Sequence, residues 1–383
     1  SSKKTLLLIF DEIQWLSKKG SGFAGHLKEA WQTWQQSSDM KVIVCGSSNK
    51  FFKTYAEGDE KILRGLRTFG DIWVKPFSLA EVQKYYFPAW NLEEICLVAM
   101  MFGGCPYYLE RIDPHKGFVL GINDAVFTRQ GIFLNEIDEI LNLDFNKKGV
   151  QTIKKILSVL SQQGSHQVGI VHKTGLSQSV VAEALEKLTE YDLVFENYPI
   201  HKKTKGNDSG VSYFMKDFFL NFYFQIIEPY SNRIGVNLQG NLFGQKCLAS
   251  KTGYYIPDFT GKAFELLVRS ILENRTNMSP HVFSKLDLRD VDYEVGTYWD
   301  KESQIDLVVE DSTDRLSRLI ECKWIGGDAT YANQLIDTSL KPYAAPKNFK
   351  TKHFLVVSNK LSPSAEQHAQ EKGLTLTYLE DLF

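Results

Sequence analysis

The sequence predicts an α/β multidomain chain, and three observations carry that prediction. Apolar runs at 6–10 and 41–45 have the continuous character of parallel strands buried on both faces. Residues 92–142 follow a helical pattern broken at Gly103-Gly104 and Asp113-Pro114. From Tyr293 onward apolar strands alternate with helical segments, as in a mixed α/β sheet. At 383 residues the chain exceeds one ordinary core, so several domains are expected, with boundaries at 1–90, 91–148, 149–228 and 229–383. A net charge of −2 gives no global pull on nucleic acid, which confines any such binding to local patches. The five cysteines form no Cys-x-x-Cys pair and read as reduced thiols of a cytoplasmic protein. No apolar run reaches the length of a membrane span, and no signal-peptide pattern opens the chain, so no membrane partner is expected.

The first strand, Leu6-Leu7-Leu8-Ile9-Phe10, ends in Asp11-Glu12. Ligands bind at the carboxyl edge of open parallel sheets, where an Asp can hold Mg²⁺ through water and a following Glu can orient an attacking water. The pair therefore reads as a Walker B strand. Its partner should be a Gly-rich loop ending in Gly-Lys-Ser/Thr, and no such run occurs in the 383 residues. The first residue is Ser rather than Met, so the expectation is a fragment of a larger ATPase with half a nucleotide site. A helix over 26–36 follows, then the strand Lys41–Cys45 and Gly46-Ser47-Ser48-Asn49. Ser48 or Asn49 stands where a sensor of the γ-phosphate would, although both are also ordinary helix caps. Ser78, with Glu81 at the third helical position, reads as a capping box.

The order Asp11-Glu12, Gly46-Ser47-Ser48, Gly65-x-Arg67 and Pro76-Phe77-Ser78-x-x-Glu81 resembles the archaeal-type ATPases, relatives of the AAA+ and STAND branches of P-loop ATPases. Many members carry a winged helix and a C-terminal nuclease-like domain. The resemblance implies a truncated P-loop ATPase parallel sheet over 1–90 and a helical lid over 91–148. Gly103-Gly104-x-Pro106-Tyr107-Tyr108-Leu109 would be the lid turn. It implies Asp11, Glu12, Ser48, Asn49 and Arg67 as nucleotide-facing residues, with Arg64 as the alternative arginine and Glu12 as the catalytic carboxylate. ATP with Mg²⁺ is implied only if a preceding segment supplies the phosphate-binding loop, and a homo-oligomer or a protein partner is a further implication. The sequence departs from the family in lacking that loop and in carrying Leu66 where an Arg often follows the Gly.

Residues 149–228 follow a winged-helix pattern: helices at 151–163, 169–176 and 178–189, then strands at 193–197 and 211–215. Lys202, Lys203 and Lys205 crowd the loop between the strands. They are candidate contacts to a DNA backbone, or a solvated hairpin tip. Glu183, Glu186 and Lys187 on the third helix are poor chemistry for a major-groove reader, which favours protein–protein or interdomain packing over DNA contact.

The last block holds the sharpest pattern. Glu265 lies among apolar residues of an amphipathic helix, Asp306 enters the strand 303–309, and Glu321-Cys322-Lys323 lies on the next strand. That order is the PD-(D/E)XK signature of a restriction-endonuclease-like mixed α/β domain. Strand residues two apart point the same way, so Glu321 and Lys323 share a face. Asp306 and Glu321, completed by Glu265, are the expected Mg²⁺ ligands. Lys323 would position or deprotonate the attacking water, or stabilise charge on the phosphorane. Gln334 and Tyr343 are expected to line the cleft. Two functions follow: a Mg²⁺-dependent DNA nuclease under an ATPase switch, or an ATPase switch whose nuclease-like domain only binds nucleic acid or a partner.

Overall fold

The computed structural model describes residues 5–17, 21–37, 40–46, 52, 70, 72–128, 131, 133, 136–142, 147–162, 164–200, 211–234, 241–248, 254–275, 278–289, 292–325 and 332–383. The chain forms two compact units, Ser1–Lys75 with Glu186–Leu193, and Pro76–Leu185 with Val194–Phe383. Together they make a mixed α/β protein.

In the first unit, strand β1 (Leu6–Phe10) pairs in parallel with β2 (Met40–Val44), from Leu6 opposite Met40 to Phe10 opposite Val44. Parallel strands need a crossover, which helix α1 (Phe23–Ser37) supplies. Phe10 and Val44 pack with Phe23, Trp31 and Trp34 around the buried Ile13 and Leu27. The opposite face is open: Leu7 is 51 % exposed, Ile9 54 % and Ile43 45 %. Among the described residues these strands are therefore covered on one face only, which corrects the expectation of burial on both. A continuous apolar run does not report which of its two faces is covered, because alternate residues point in opposite directions.

The second unit begins with two capped helices, α2 (Leu79–Tyr85) and α3 (Leu92–Phe102), each opened by a capping box: Ser78 with Glu81 and Asn91 with Glu94. Residues Ile95 to Phe102 are all buried, so α3 is a core helix rather than an amphipathic surface one. Its end meets a cluster of rings in which Phe102 and Tyr108 both contact Phe133 and Phe219. Phe77 N–H donates to the Gly104 carbonyl at 2.9 Å, and a Cβ at Gly104 would run into the Phe77 backbone, so only glycine fits that turn.

Helices α4 (Lys147–Gln162), α5 (Gln167–Thr174) and α6 (Gln178–Glu190) are followed by an antiparallel pair, β3 (Val194–Asn197) and β4 (Ser212–Met215). Gly175, at φ 69°, ends α5 in the left-handed conformation glycine favours. A bridge between Ser165 and Tyr213 adds to the β3–β4 hairpin.

The five-stranded sheet runs in the order β5-β6-β7-β8-β9, comprising Tyr293–Trp299, Gln304–Asp311, Leu316–Lys323, Lys350–Val357 and Leu374–Tyr378. The first three are antiparallel; β8 and β9 continue in parallel from β7. The parallel connections carry helices α8 (Ala332–Ser339) and α9 (Pro363–Glu371), whose Leu335, Ile336, Ala365 and Ala369 form one core with Leu355 and Val357. Helix α7 (Thr260–Glu273) packs against β5, β6, β7 and α3. The central strand β7 is buried along its length except for a half-buried Lys323, as a strand covered on both faces must be.

Candidate functional site

The β6–β7 ladder pairs Asp311 with Leu316 and closes at Leu307 opposite Ile320. One step further, Asp306 and Glu321 would stand directly opposite, and side chains take over there from the backbone. Asp306 N–H donates to Glu321 Oε1 at 3.3 Å, and Cys322 N–H donates to Asp306 Oδ2 at 3.0 Å. The strands part at this point, and two carboxylates fill the opening. Their side chains are 8 % and 2 % exposed. Like charges opposite one another destabilise a sheet, and burial raises the cost, so the pair requires a cation.

Lys323 supplies it. Its Nζ lies 2.9 Å from Asp306 Oδ2 and 3.1 Å from Glu321 Oε2. A second ammonium, Lys341, reaches the same Glu321 oxygen at 2.8 Å and donates to the Gln304 carbonyl at 2.6 Å. Burial would lower the Lys323 proton affinity, but Asp306 and Glu321 outweigh it and hold the ammonium protonated. Burial, then Asp306, makes Glu321 harder to ionise, against the pull of Lys323 and Lys341. Glu265 on α7 is pushed up to about 7, first by burial and then by Asp306, and Lys262 donates to its carboxylate at 3.1 Å.

Three buried or half-buried carboxylates thus meet three lysines. Carboxylate oxygens are the donors a hard divalent cation takes, and the Asp306–Glu321 pair has the chemistry to hold Mg²⁺. Among the described residues, however, no three His, Cys, Asp or Glu side chains are spaced to hold an ion. The expected ligands Glu265, Asp306 and Glu321 are neighbours whose charges meet lysines instead.

Asp306 and Glu265 face a cleft of ≈ 570 Å³ whose other wall is the β3–β4 hairpin, with Phe195, Phe214, Arg269 and Trp299 along it. Arg269 lies over the Phe195 ring, which stacks on Phe214. Asn197, 5 % exposed, ties the hairpin to the sheet: its Oδ1 accepts from Arg269 Nη1 at 3.3 Å and from Thr297 Oγ1 at 2.9 Å. Ile200 N–H donates to the Thr297 carbonyl and continues that junction along β5.

Asp11 and Glu12 lie in the first unit, just past the carboxyl end of β1. Glu12 takes a left-handed conformation (φ 49°, ψ 46°) and accepts a hydrogen bond from the Gln14 amide, while Asp11 Oδ1 accepts from Glu12 N–H at 3.0 Å. Ser48, Asn49, Arg64, Arg67, Lys202, Lys203 and Lys205 lie outside the described residues. Gln334 is on the exposed side of α8, and Tyr343 hydrogen-bonds Glu310 at 2.6 Å and meets Tyr298 edge-on, so neither lines the cleft. Sequence reasoning missed Lys262 and Lys341. Lys262 was legible as the neighbour of Glu265 three residues along a helix, whereas nothing local marks Lys341.

Residues 223–334 match the family model DUF234, described as archaeal and bacterial proteins of unknown function, a span that contains Glu265, Asp306, Glu321 and Lys323. The chain is 26 % identical over 326 residues to Uncharacterized protein MJECL04 of Methanocaldococcus jannaschii, covering 84 % of this chain and 68 % of that protein. The crystal structure of protein VC1899 from Vibrio cholerae aligns over 100 % of this chain and 89 % of that one at 11 % identity, with a TM-score of 0.22.

Proposed function

We propose that the chain is a Mg²⁺-dependent DNA nuclease whose chemistry resides at Asp306, Glu321 and Lys323, governed by an ATPase-like switch in the first unit. The observation that carries this reading is the buried Asp306–Glu321 pair at the parting of β6 and β7, bridged by Lys323 and open to a cleft on the Asp306 side. Burying two opposed carboxylates costs stability, and a site that handles a cation and a phosphodiester accounts for that cost. The expected winged-helix module is the three helices α4–α6 with the β3–β4 hairpin, and the nuclease-like domain is the sheet β5–β9 with α7.

Asp306 and Glu321 would hold the metal, which when bound polarises a phosphoryl oxygen and makes a coordinated water more acidic. Lys323 keeps its proton between two carboxylates, so its role is that of a cation facing the charge that develops on phosphorus, not of a base. Glu265 can take up or release a proton near neutral pH, which suits the transfer from water. Arg269 and Lys262 offer the cleft positive charge for a phosphate backbone. The switch role rests on the family resemblance and on Asp11 and Glu12, which follow the carboxyl end of a parallel strand.

A second reading, a nuclease-like domain that only binds nucleic acid or a partner, is favoured by one observation. Lys323 and Lys341 already neutralise the carboxylates. Nicking of supercoiled plasmid and of labelled single-stranded and duplex oligonucleotides with Mg²⁺ or Mn²⁺ separates the two. The first reading expects cleavage that Asp306→Asn and Lys323→Met abolish. Absence of cleavage on every substrate, or cleavage untouched by both substitutions, overturns it.

A further inference from the structure

Lys341 belongs to no sequence pattern, yet it spans the place where the sheet opens. Its ammonium bonds an atom of each parting strand, the Gln304 carbonyl at the start of β6 and Glu321 Oε2 near the end of β7. Beyond Leu307 and Ile320 the backbone ladder no longer joins these strands. The segment that carries Lys341 is pinned by Tyr343, whose hydroxyl donates to Glu310 at 2.6 Å and whose ring meets Tyr298 edge-on. One Glu321 oxygen therefore accepts two ammonium groups, and Glu321 is 2 % exposed.

A carboxylate oxygen that binds a hard cation must give up charge-assisted bonds it already makes. Lys323 has Asp306 as an alternative acceptor, and Lys341 has the Gln304 carbonyl. Asp306 is itself a proposed metal ligand, so only Lys341 keeps an acceptor outside the metal site when Glu321 is given up. We propose that Lys341 is a positioning residue that holds Glu321 toward Asp306 in the metal-free site and yields that oxygen to the divalent cation, so that it sets the affinity for metal. The proposal rests on the reading of Asp306 and Glu321 as metal ligands. It differs from that reading in predicting that loss of a lysine strengthens binding.

The test is Mn²⁺ binding to the whole chain without nucleic acid, followed by electron paramagnetic resonance of free Mn²⁺. Wild type is compared with Lys341→Met, Lys341→Gln, Lys341→Arg and Asp306→Asn. Both neutral variants should bind Mn²⁺ about tenfold more tightly than wild type, as loss of one competing charge-assisted bond implies. Lys341→Arg should stay near wild type, and Asp306→Asn should lose the site. In cleavage assays Lys341→Met should reach half-maximal rate at lower Mg²⁺ than wild type, a shift that a merely structural role would not produce. Equal or weaker Mn²⁺ binding by both neutral variants, with Asp306→Asn still removing it, overturns the role of Lys341 and leaves the metal site standing. Absence of Asp306-dependent Mn²⁺ binding in every variant overturns the metal reading, and this proposal with it.

Discussion

Asp306 and Glu321 each accept a backbone N–H from the facing strand across the opening of β6 and β7, Glu321 Oε1 from Asp306 and Asp306 Oδ2 from Cys322. The carboxylates thus perform the work of the missing ladder bonds, and Lys323, with Lys341 on Glu321, offsets their charge. Fold and proposed chemistry are coupled at this point: the two carboxylates proposed to hold a cation also join two strands at their parting.

Removing the shared ammonium should therefore be felt in stability. Lys323→Met leaves two buried carboxylates with only Lys341 nearby, and breaking a buried pair from one side costs several kcal/mol. Lys323 is 34 % exposed and Lys341 remains, so the expected loss is smaller, on the order of 2 kcal/mol at neutral pH. Part of it should return as acid protonates Glu321, whose proton affinity burial and then Asp306 raise. Urea denaturation across pH reads this, and a variant as stable as wild type at pH 7 would show that Lys323 compensates nothing.

Glu265 gives the metal-free protein a pH dependence of known sign. Burial, and then Asp306, raises its folded value to about 7, above the ordinary carboxylate range of the unfolded chain. The folded state holds that proton more tightly, so its contribution to stability is complete below the unfolded value and is lost as pH rises through about 7. Glu265→Gln should flatten the decline between those limits and be the more stable protein above pH 7, by on the order of 1–2 kcal/mol. Parallel stability–pH curves for the two proteins would contradict this.

The junction at Asn197 should behave as a latch. Its amide oxygen accepts from both Arg269 and Thr297, and Asn197→Ala leaves those donors without it. The expected cost is about 1–2 kcal/mol. Amide hydrogen exchange should quicken at Ile200, whose N–H bonds the Thr297 carbonyl, while β7 and β8 keep wild-type protection. Uniform acceleration through the sheet would mean that Asn197 supports the whole unit instead.

The open face of the first unit predicts self-association. Leu7, Ile9 and Ile43 share that face and are each roughly half exposed. Ile9→Lys combined with Ile43→Lys should lower concentration-dependent association in sedimentation velocity, with stability changed by no more than about 1 kcal/mol. Unchanged association would place the sticky surface elsewhere.

Much of this was legible in the residues. Helix Gln178–Glu190 and strands Val194–Asn197 and Ser212–Met215 lie where caps and apolar periodicity put them, because those signals are local. Glu321 and Lys323 share a face because strand geometry fixes it. The opposition of Asp306 and Glu321 depends on hairpin register, which the chain between Asp311 and Leu316 sets and which no residue announces. Lys341 reaches the site from a segment without periodicity, anchored by the tyrosine that sequence reasoning had assigned to the cleft. The exposed side of β1 escaped notice because leucine follows leucine there, and composition cannot tell a covered face from an open one.

The most direct test of a cation at Asp306 and Glu321 is to let the ion mark its own position. With Fe²⁺ in place of Mg²⁺, ascorbate and peroxide generate hydroxyl radicals at the bound metal, and the cut points in the polypeptide are mapped by mass spectrometry. The site described above predicts cuts near residues 306 and 321, suppressed by excess Mg²⁺ and absent in Asp306→Asn. Cuts only elsewhere in the chain, or cuts near 306 and 321 that Mg²⁺ and Asp306→Asn leave unchanged, would contradict it.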